Sequence, residues 1–121
     1  MEINQKQQTG SLKIAESVIE KIAQLVIDEV DGVYSMAPSP TKPKEWFLHS
    51  QKGRSIRLKM EGGVAQIDVY VILKNGYRIR EVAEQIQSYV KDAVQNMASI
   101  TVAKVNVFVC GIRAAKESAP A

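Results

Sequence analysis

The residues best suited to nucleophilic catalysis or metal binding occur once each in the sequence, as His49 and Cys110. A catalytic thiol needs a base within hydrogen-bond reach and a third group that orients this base. His49 lies in a proline-containing stretch and Cys110 lies late in a predicted strand, so they would meet only if that stretch crossed the sheet. One histidine and one cysteine also cannot supply three side-chain ligands to a metal ion. We therefore predict no catalytic residues, no metal site and no cofactor.

The composition is that of one globular domain with an uneven charge. The chain has 121 residues, of which 45% are hydrophobic and 24% charged, values that exclude wholesale disorder. Residues 1–37 hold three cations and six anions, whereas residues 38–62 hold six cations and two anions. No apolar run approaches the roughly 18 residues of a spanning helix, and the amino terminus lacks a signal-peptide core. We expect a cytoplasmic protein.

The boundaries of the domain are set by polar ends and by one proline-rich stretch. We predict a single folded domain over residues 10–113, with flexible tails at residues 1–9 and 114–121. Within it, residues 38–55 contain three prolines close together, which predicts a basic loop rather than a helix or a strand.

Hydrophobic periodicity predicts the elements of this domain. A helix over residues 14–30 has an apolar arc of about 200°, wider than one packed layer needs, and a helix over residues 79–97 has an arc of about 140°. Alternating polarity predicts strands at residues 11–13, 33–37, 55–60, 64–74 and 101–112. Together they predict an α+β fold, a two-layer sandwich of one mainly antiparallel sheet with two helices on one face, in the order β-α-β-β-β-α-β.

If both helices cover one face, the other face is open to solvent. In the last strand, alternation predicts that Ala103, Val105, Val107 and Val109 point inward. The opposite parity places an apolar cluster on the open face, beside the cations Arg57 and Lys59. Its predicted members are Tyr70, Ile72, Phe108 and Cys110. Apolar patches on a soluble domain usually mark a partner or a self-interface.

The apolar cluster and the wide first helix together predict self-association, as a homo-oligomer, or docking to a protein partner. In an alternative arrangement, the loop 38–55 folds back over the cluster, with Trp46 and Phe47 supplying apolar surface. We include Trp46 and Phe47 among the candidate partner-binding residues, with Tyr70, Ile72 and Phe108 and the cations Arg57 and Lys59.

A nucleic-acid interface is the alternative function. Aromatic residues on an open sheet can stack on RNA bases while neighbouring cations hold phosphates, and Tyr70 and Phe108 with Arg57 and Lys59 form a sparse version of that arrangement. The last strand, TVAKVNVFV, lacks the glycine- and aromatic-rich pattern of an RNA-recognition sheet. Nucleic acid is therefore the less favoured partner.

Several segments, in order, resemble the alkaline shock protein family of Gram-positive bacteria, also called the envelope stress response family. The resemblance covers about residues 10–112. Its segments are GSLKIAESVIEKIA, EVDGVYSM, IDVYVILKNGYRI, EVAEQIQSYVKDAVQNM and VAKVNVFVCGI. The matching positions are structural, namely Gly32 and Val33 after the first helix, Gly76 at a turn, and the strand from Val105 to Gly111.

This resemblance implies a non-enzymatic cytoplasmic protein with a role in cell-envelope homeostasis. Some family members lie at the inner face of the cell membrane by docking to a membrane-anchored partner, so any contact of this protein with the membrane is expected to be indirect. Some members are encoded near fatty-acid synthesis genes. The chain departs from the family pattern at Gly53-Arg54, where a Gly-Val pair usually opens the next strand.

Overall fold

The computed structural model describes residues 10–38 and 55–114. The predicted tails and the predicted loop lie outside this part of the chain, apart from the residues at their boundaries. His49, Trp46 and Phe47 belong to that loop and also lie outside the described residues. The described elements, in chain order, are α1 (Glu16–Ile27), β1 (Val33–Met36), β2 (Ile56–Glu61), β3 (Val64–Lys74), α2 (Ile79–Ala98) and β4 (Thr101–Arg113).

The strand β3 is the centre of the sheet. One of its edges pairs along its whole length with β4, in parallel, from Val64 opposite Thr101 to Lys74 opposite Arg113. Its other edge pairs with two antiparallel strands, β2 over its first half and β1 near its end. Two of the three pairings are antiparallel, which confirms the predicted α+β class and the mainly antiparallel sheet.

Side-chain alternation along β3 separates a core face from an open face. Its odd-numbered residues, from Ala65 to Leu73, are buried and share one cluster with residues of both helices. The helix residues of that cluster include Ile19, Ala23 and Ile27 of α1 and Val82, Ile86, Val90 and Val94 of α2. Both helices therefore pack against this one face of the sheet, as predicted.

The predicted opening strand at residues 11–13 is wrong. Residues 10–15 carry neither helix nor strand, and Leu12 is almost fully exposed. Residues 11–13 offer one apolar side chain, Leu12, which is too little burial to hold them against the sheet. In the described residues the element order is therefore α-β-β-β-α-β.

The predicted inward position of Ala103 is also wrong, because β4 contains two irregularities in its pairing with β3. Ala65 lies opposite Val102 but Gln66 lies opposite Lys104, so Ala103 is an extra residue. Such an insertion exchanges the faces to which the side chains before and after it point. Val102 is accordingly buried, and Ala103 is exposed.

The turn between α1 and β1 depends on Gly32. The helix ends at Ile27, three residues earlier than predicted, and Gly32 follows with φ +99°. A Cβ atom at this position would lie 2.8 Å from Val82 Cγ2 and 2.9 Å from Tyr77 Cδ2. Gly32 therefore meets two demands, a left-handed backbone and close contact with the start of α2.

We predict that Gly32→Ala lowers the free energy of unfolding by about 2–3 kcal/mol, because it adds backbone strain and a steric clash. The matched control is Gly76→Ala, since Gly76 has the same φ of +99° but no heavy atom lies within 4 Å of the position that a Cβ would take there. This control should lose only about 1 kcal/mol. Urea denaturation measures both values, and equal losses would contradict the steric role of Gly32.

Candidate functional site

The candidate site is the open face of the sheet, on the side opposite the two helices. The even-numbered residues of β3 point to this face, and the register places β4 side chains beside them. Tyr70 lies opposite Phe108, Asp68 opposite Asn106, and Gln66 opposite Lys104. This confirms the strand parity on which the predicted partner-binding cluster depends.

An aromatic stack forms the middle of the open face. The ring centroids of Tyr70 and Phe108 are 4.7 Å apart, and the ring planes differ by 14°. Tyr70 is only 9% exposed, whereas Phe108 is 43% exposed. Among the described strands, β3 has neighbours on both edges and β4 on one, which accounts for the different burial of the two neighbouring rings. Phe108 is thus the part of the stack that a partner can reach.

Ile72 continues the apolar surface next to the stack. It is half-buried and lies opposite Gly111, so its flank on the β4 side meets no side chain from that position. The predicted fourth member of the cluster, Cys110, does not occupy a regular position in the ladder, because Val71 pairs with Val109 and Ile72 with Gly111. Cys110 is the extra residue of this second irregularity and is exposed, with its thiol 3.7 Å from the carbonyl oxygen of Phe108.

Cations surround the apolar centre of the open face. Arg57 and Lys59 of β2 are exposed and lie opposite Asp68 and Gln66, while Lys104 lies on the far side of Gln66. At the other end of the face, Lys74 and Arg113 lie opposite each other. The carboxylate of Asp68 accepts a hydrogen bond from Asn106 Nδ2 at 2.9 Å. The face therefore presents an excess of positive charge around an apolar stack.

Of the predicted site residues, Tyr70, Ile72 and Phe108 come together, and Arg57 and Lys59 lie on the same face at its β2 side. Trp46 and Phe47 lie outside the described residues, so their predicted role stays a prediction. The two apolar residues Val18 and Leu25 of α1, which account for the excess width of that helix, are each about half exposed. They form a second apolar strip, on the helical layer.

A feature that sequence reasoning missed is the way α2 closes part of the β4 edge. Gln87 Nε2 donates to the carbonyl oxygen of Val105 at 3.1 Å, and Gln95 Oε1 accepts from the backbone N–H of Val102 at 3.0 Å. Both glutamines belong to the polar positions of the helix pattern, where nothing distinguishes them from solvated residues. Their spacing of eight residues, about two turns, is the only sequence signal of a shared role.

A groove of about 280 Å³ lies elsewhere, between α1 and the β1–β2 side of the sheet. It is lined by Ser17, Glu20, Lys21, Gln24, Met36, Ser55 and Ile56. Within residues 10–38 and 55–114, no group of three or more His, Cys, Asp or Glu residues is placed to hold a metal ion. Neither described helix is both long and apolar enough to cross a membrane.

Comparison with known proteins identifies a family and several relatives. The model of the alkaline shock protein 23 family, described as having a cell envelope-related function, matches residues 4–114. The uncharacterized protein YqhY of Bacillus subtilis is 31% identical over 105 residues, covering 86% of this chain and 78% of that protein. The uncharacterized protein Spy1535 of Streptococcus pyogenes is 33% identical over 112 residues, covering 92% of this chain and 85% of that protein.

Solved structures with a similar fold are variants of the MamM CTD. One has a TM-score of 0.50 and 12% sequence identity, and the match covers 80% of this chain and 98% of that chain. A second variant gives the same TM-score and identity over 79% of this chain and 95% of that chain. At this identity the likeness concerns the fold alone.

We predict that Gln87→Ala lowers the free energy of unfolding by about 1 kcal/mol, because the Val105 carbonyl loses its side-chain donor. Gln85→Ala is the matched control, since Gln85 is an exposed glutamine two residues earlier in the same helix. Its effect should stay within about 0.5 kcal/mol. Chemical denaturation of both variants measures the difference, and indistinguishable stabilities would show that the Gln87 bond contributes nothing.

Proposed function

The chain belongs to the alkaline shock protein 23 family, whose function is related to the cell envelope, and on this basis we propose that it is a non-enzymatic interaction module of the envelope stress response. It acts on the cytoplasmic side of the cell membrane. It associates with itself and docks to a membrane-anchored protein, so that its own contact with the membrane is indirect.

The observation that carries this proposal is the exposed half of the Tyr70–Phe108 stack. A phenylalanine that is 43% exposed on a sheet face leaves apolar surface in water, and its burial by a partner is favourable. Aromatic residues and arginine are enriched in protein interfaces. The surrounding Arg57, Lys59 and Lys104 favour a partner that carries acidic residues around an apolar centre.

RNA binding, the alternative function, is favoured by the same aromatic and basic residues but opposed by the burial of Tyr70. A stacking platform needs ring faces that a base can reach. Tyr70 is 9% exposed and its ring is already stacked on Phe108, so at most one ring is accessible. The open face is thus better suited to a protein partner than to a row of bases.

We predict that Phe108→Ser weakens self-association, measured by sedimentation velocity, because it removes the exposed apolar surface of the open face. Phe108 is the better position to change, since replacing the buried Tyr70 would also affect folding. Tyr89→Ser is the matched control, because Tyr89 is 46% exposed on α2 and should leave association unchanged.

Two further outcomes of that experiment are informative. If Leu25→Ser weakens self-association and Phe108→Ser does not, the interface lies on the apolar strip of α1. An oligomer that neither substitution changes, or a monomer in the unsubstituted protein, would contradict self-association through both surfaces.

We also predict that the purified protein alone does not sediment with vesicles containing anionic phospholipid at physiological salt, because membrane contact requires the anchored partner. A fluorescent single-stranded RNA should likewise show no binding that falls steeply as salt rises. Sedimentation with vesicles would contradict the indirect contact. If RNA binding falls as salt rises, and the double substitution Arg57→Ala with Lys59→Ala abolishes it, the result would favour the alternative function.

A further inference from the structure

The outer edge of β4 is divided into a closed part and an open part. Among the described residues, β4 pairs only with β3, so its second edge carries no strand. The closed part is its first half, where Gln95 accepts from the Val102 N–H and Gln87 donates to the Val105 carbonyl. These side-chain bonds occupy backbone groups that another strand would need.

The open part consists of the backbone groups of Val107 and Val109. The ladder is regular from Val105 opposite Ile67 to Val109 opposite Val71, and alternate residues of a strand direct their N–H and C=O groups to the same edge. Val107 and Val109 therefore present four backbone groups to the edge on which Gln87 meets Val105. None of these groups has a partner in the described part of the chain.

Between its two irregularities, this edge lacks charge and proline, two of the usual protections against strand addition. From Val105 to Ile112 the sequence VNVFVCGI contains no charged residue and no proline. Edge strands that stay solitary commonly carry one or the other. The free edge of β4 is thus chemically suited to pair with another strand.

We propose that the partner is a second copy of this chain, whose β4 pairs antiparallel with β4 of the first about a two-fold axis at Phe108. In this register, Val107 of each copy lies opposite Val109 of the other. The four open groups of each copy then form four hydrogen bonds between the copies, and none remains unused. The inference deepens the proposed function, on whose self-association it rests, but places it on an edge rather than on the open face.

The closed part of the edge selects this register. An axis at Val107 would need the Val105 carbonyl, which Gln87 already occupies. An axis at Val109 would place Val107 opposite Gly111 of the second copy, next to the extra residue Cys110 that interrupts the strand. Only the axis at Phe108 uses every open group and none of the occupied ones.

Charge and side-chain contacts favour a second copy over an unrelated strand. The regular stretch that pairs about the axis at Phe108, from Val105 to Val109, contains no charged residue, so no cation faces a cation within it. The exposed side of Phe108 meets Phe108 of the second copy as a cross-strand aromatic pair. The Tyr70–Phe108 stack would then continue across both copies, with the two open faces on the same side of one sheet.

Amide hydrogen exchange measured by NMR at low and high protein concentration tests this pairing. We expect the amides of Val107 and Val109 to exchange about tenfold more slowly, or slower still, in the associated protein. Leu58 and Met60 provide the matched control, because they direct their amides to the outer edge of β2. The Ser55 carbonyl accepts from the Tyr70 N–H, so Ser55 and every second residue after it face β3, whereas Leu58 and Met60 face outward. The exchange rates of the Leu58 and Met60 amides should not change.

Cross-linking supplies a second test that depends on distance. In a Cys110→Ser background, Phe108→Cys places two thiols on residues whose Cα atoms are about 4.5 Å apart, within the range of a disulfide. Lys104→Cys in the same background is the control, since its two copies are separated by eight residues, about 26 Å. We expect a disulfide-linked dimer on a non-reducing gel for the first variant only.

The outcomes separate this inference from the proposed function. If the protein associates while Val107 and Val109 exchange at unchanged rates, the edge pairing is overturned and association through the open face stands. Protection of Leu58 and Met60 to the same extent, or equal cross-linking of the two cysteine variants, also overturns it. Because Phe108 lies at the proposed axis as well as on the open face, Phe108→Ser weakens association in either arrangement and does not separate them. Protection confined to Val107 and Val109 supports the edge.

Discussion

The strand β3 is hydrogen-bonded along both edges, and this constraint decides which surfaces of the protein are core and which are open. Because β4 holds one edge and β1 with β2 hold the other, β3 cannot turn about its axis or shift its register. A shift of one residue would replace the buried Ile67, Val69 and Val71 by Asp68, Tyr70 and Ile72. The helices cover one side, and the alternation of β3 leaves the aromatic stack on the other.

The two irregularities in β4 adapt an edge strand to this fixed centre. The first, at Ala103, changes the parity so that Val102 and Val105 both reach the core. The second, at Cys110, brings Gly111 opposite Ile72 and leaves that side chain open on one flank. Between them lies a regular stretch, Val105 to Val109, which holds both Phe108 and the backbone groups of the free edge. The docking face and the free edge are therefore parts of one short segment.

Much of the fold was predictable from the sequence, because long segments repeat their pattern. The helix α2 and the strand β3 follow from periods of 3.6 and 2 over many residues. The site was predictable where it depends on the parity of β3, as with Tyr70 and Ile72. The position of Cys110 was not, since nothing in an alternating pattern shows where an extra residue enters. The edge contact of Gln87 was also hidden, because a glutamine on a polar helix face looks the same whether or not it reaches a backbone carbonyl.

The alternation of β3 and its register with β4 leave Ile72 and Phe108 on a solvent-accessible face, whereas Ile67 and Ile86 lie in the core between the sheet and the helices. The proposed docking depends on this separation. The most direct test is the enhancement of side-chain NMR relaxation by a dissolved paramagnetic agent, at a protein concentration low enough to disfavour association. We expect strong enhancement for the Phe108 ring and the Ile72 methyls, and weak enhancement for the methyls of Ile67 and Ile86. Equal shielding of Phe108 and Ile86 in the dilute protein would contradict this separation of the two faces.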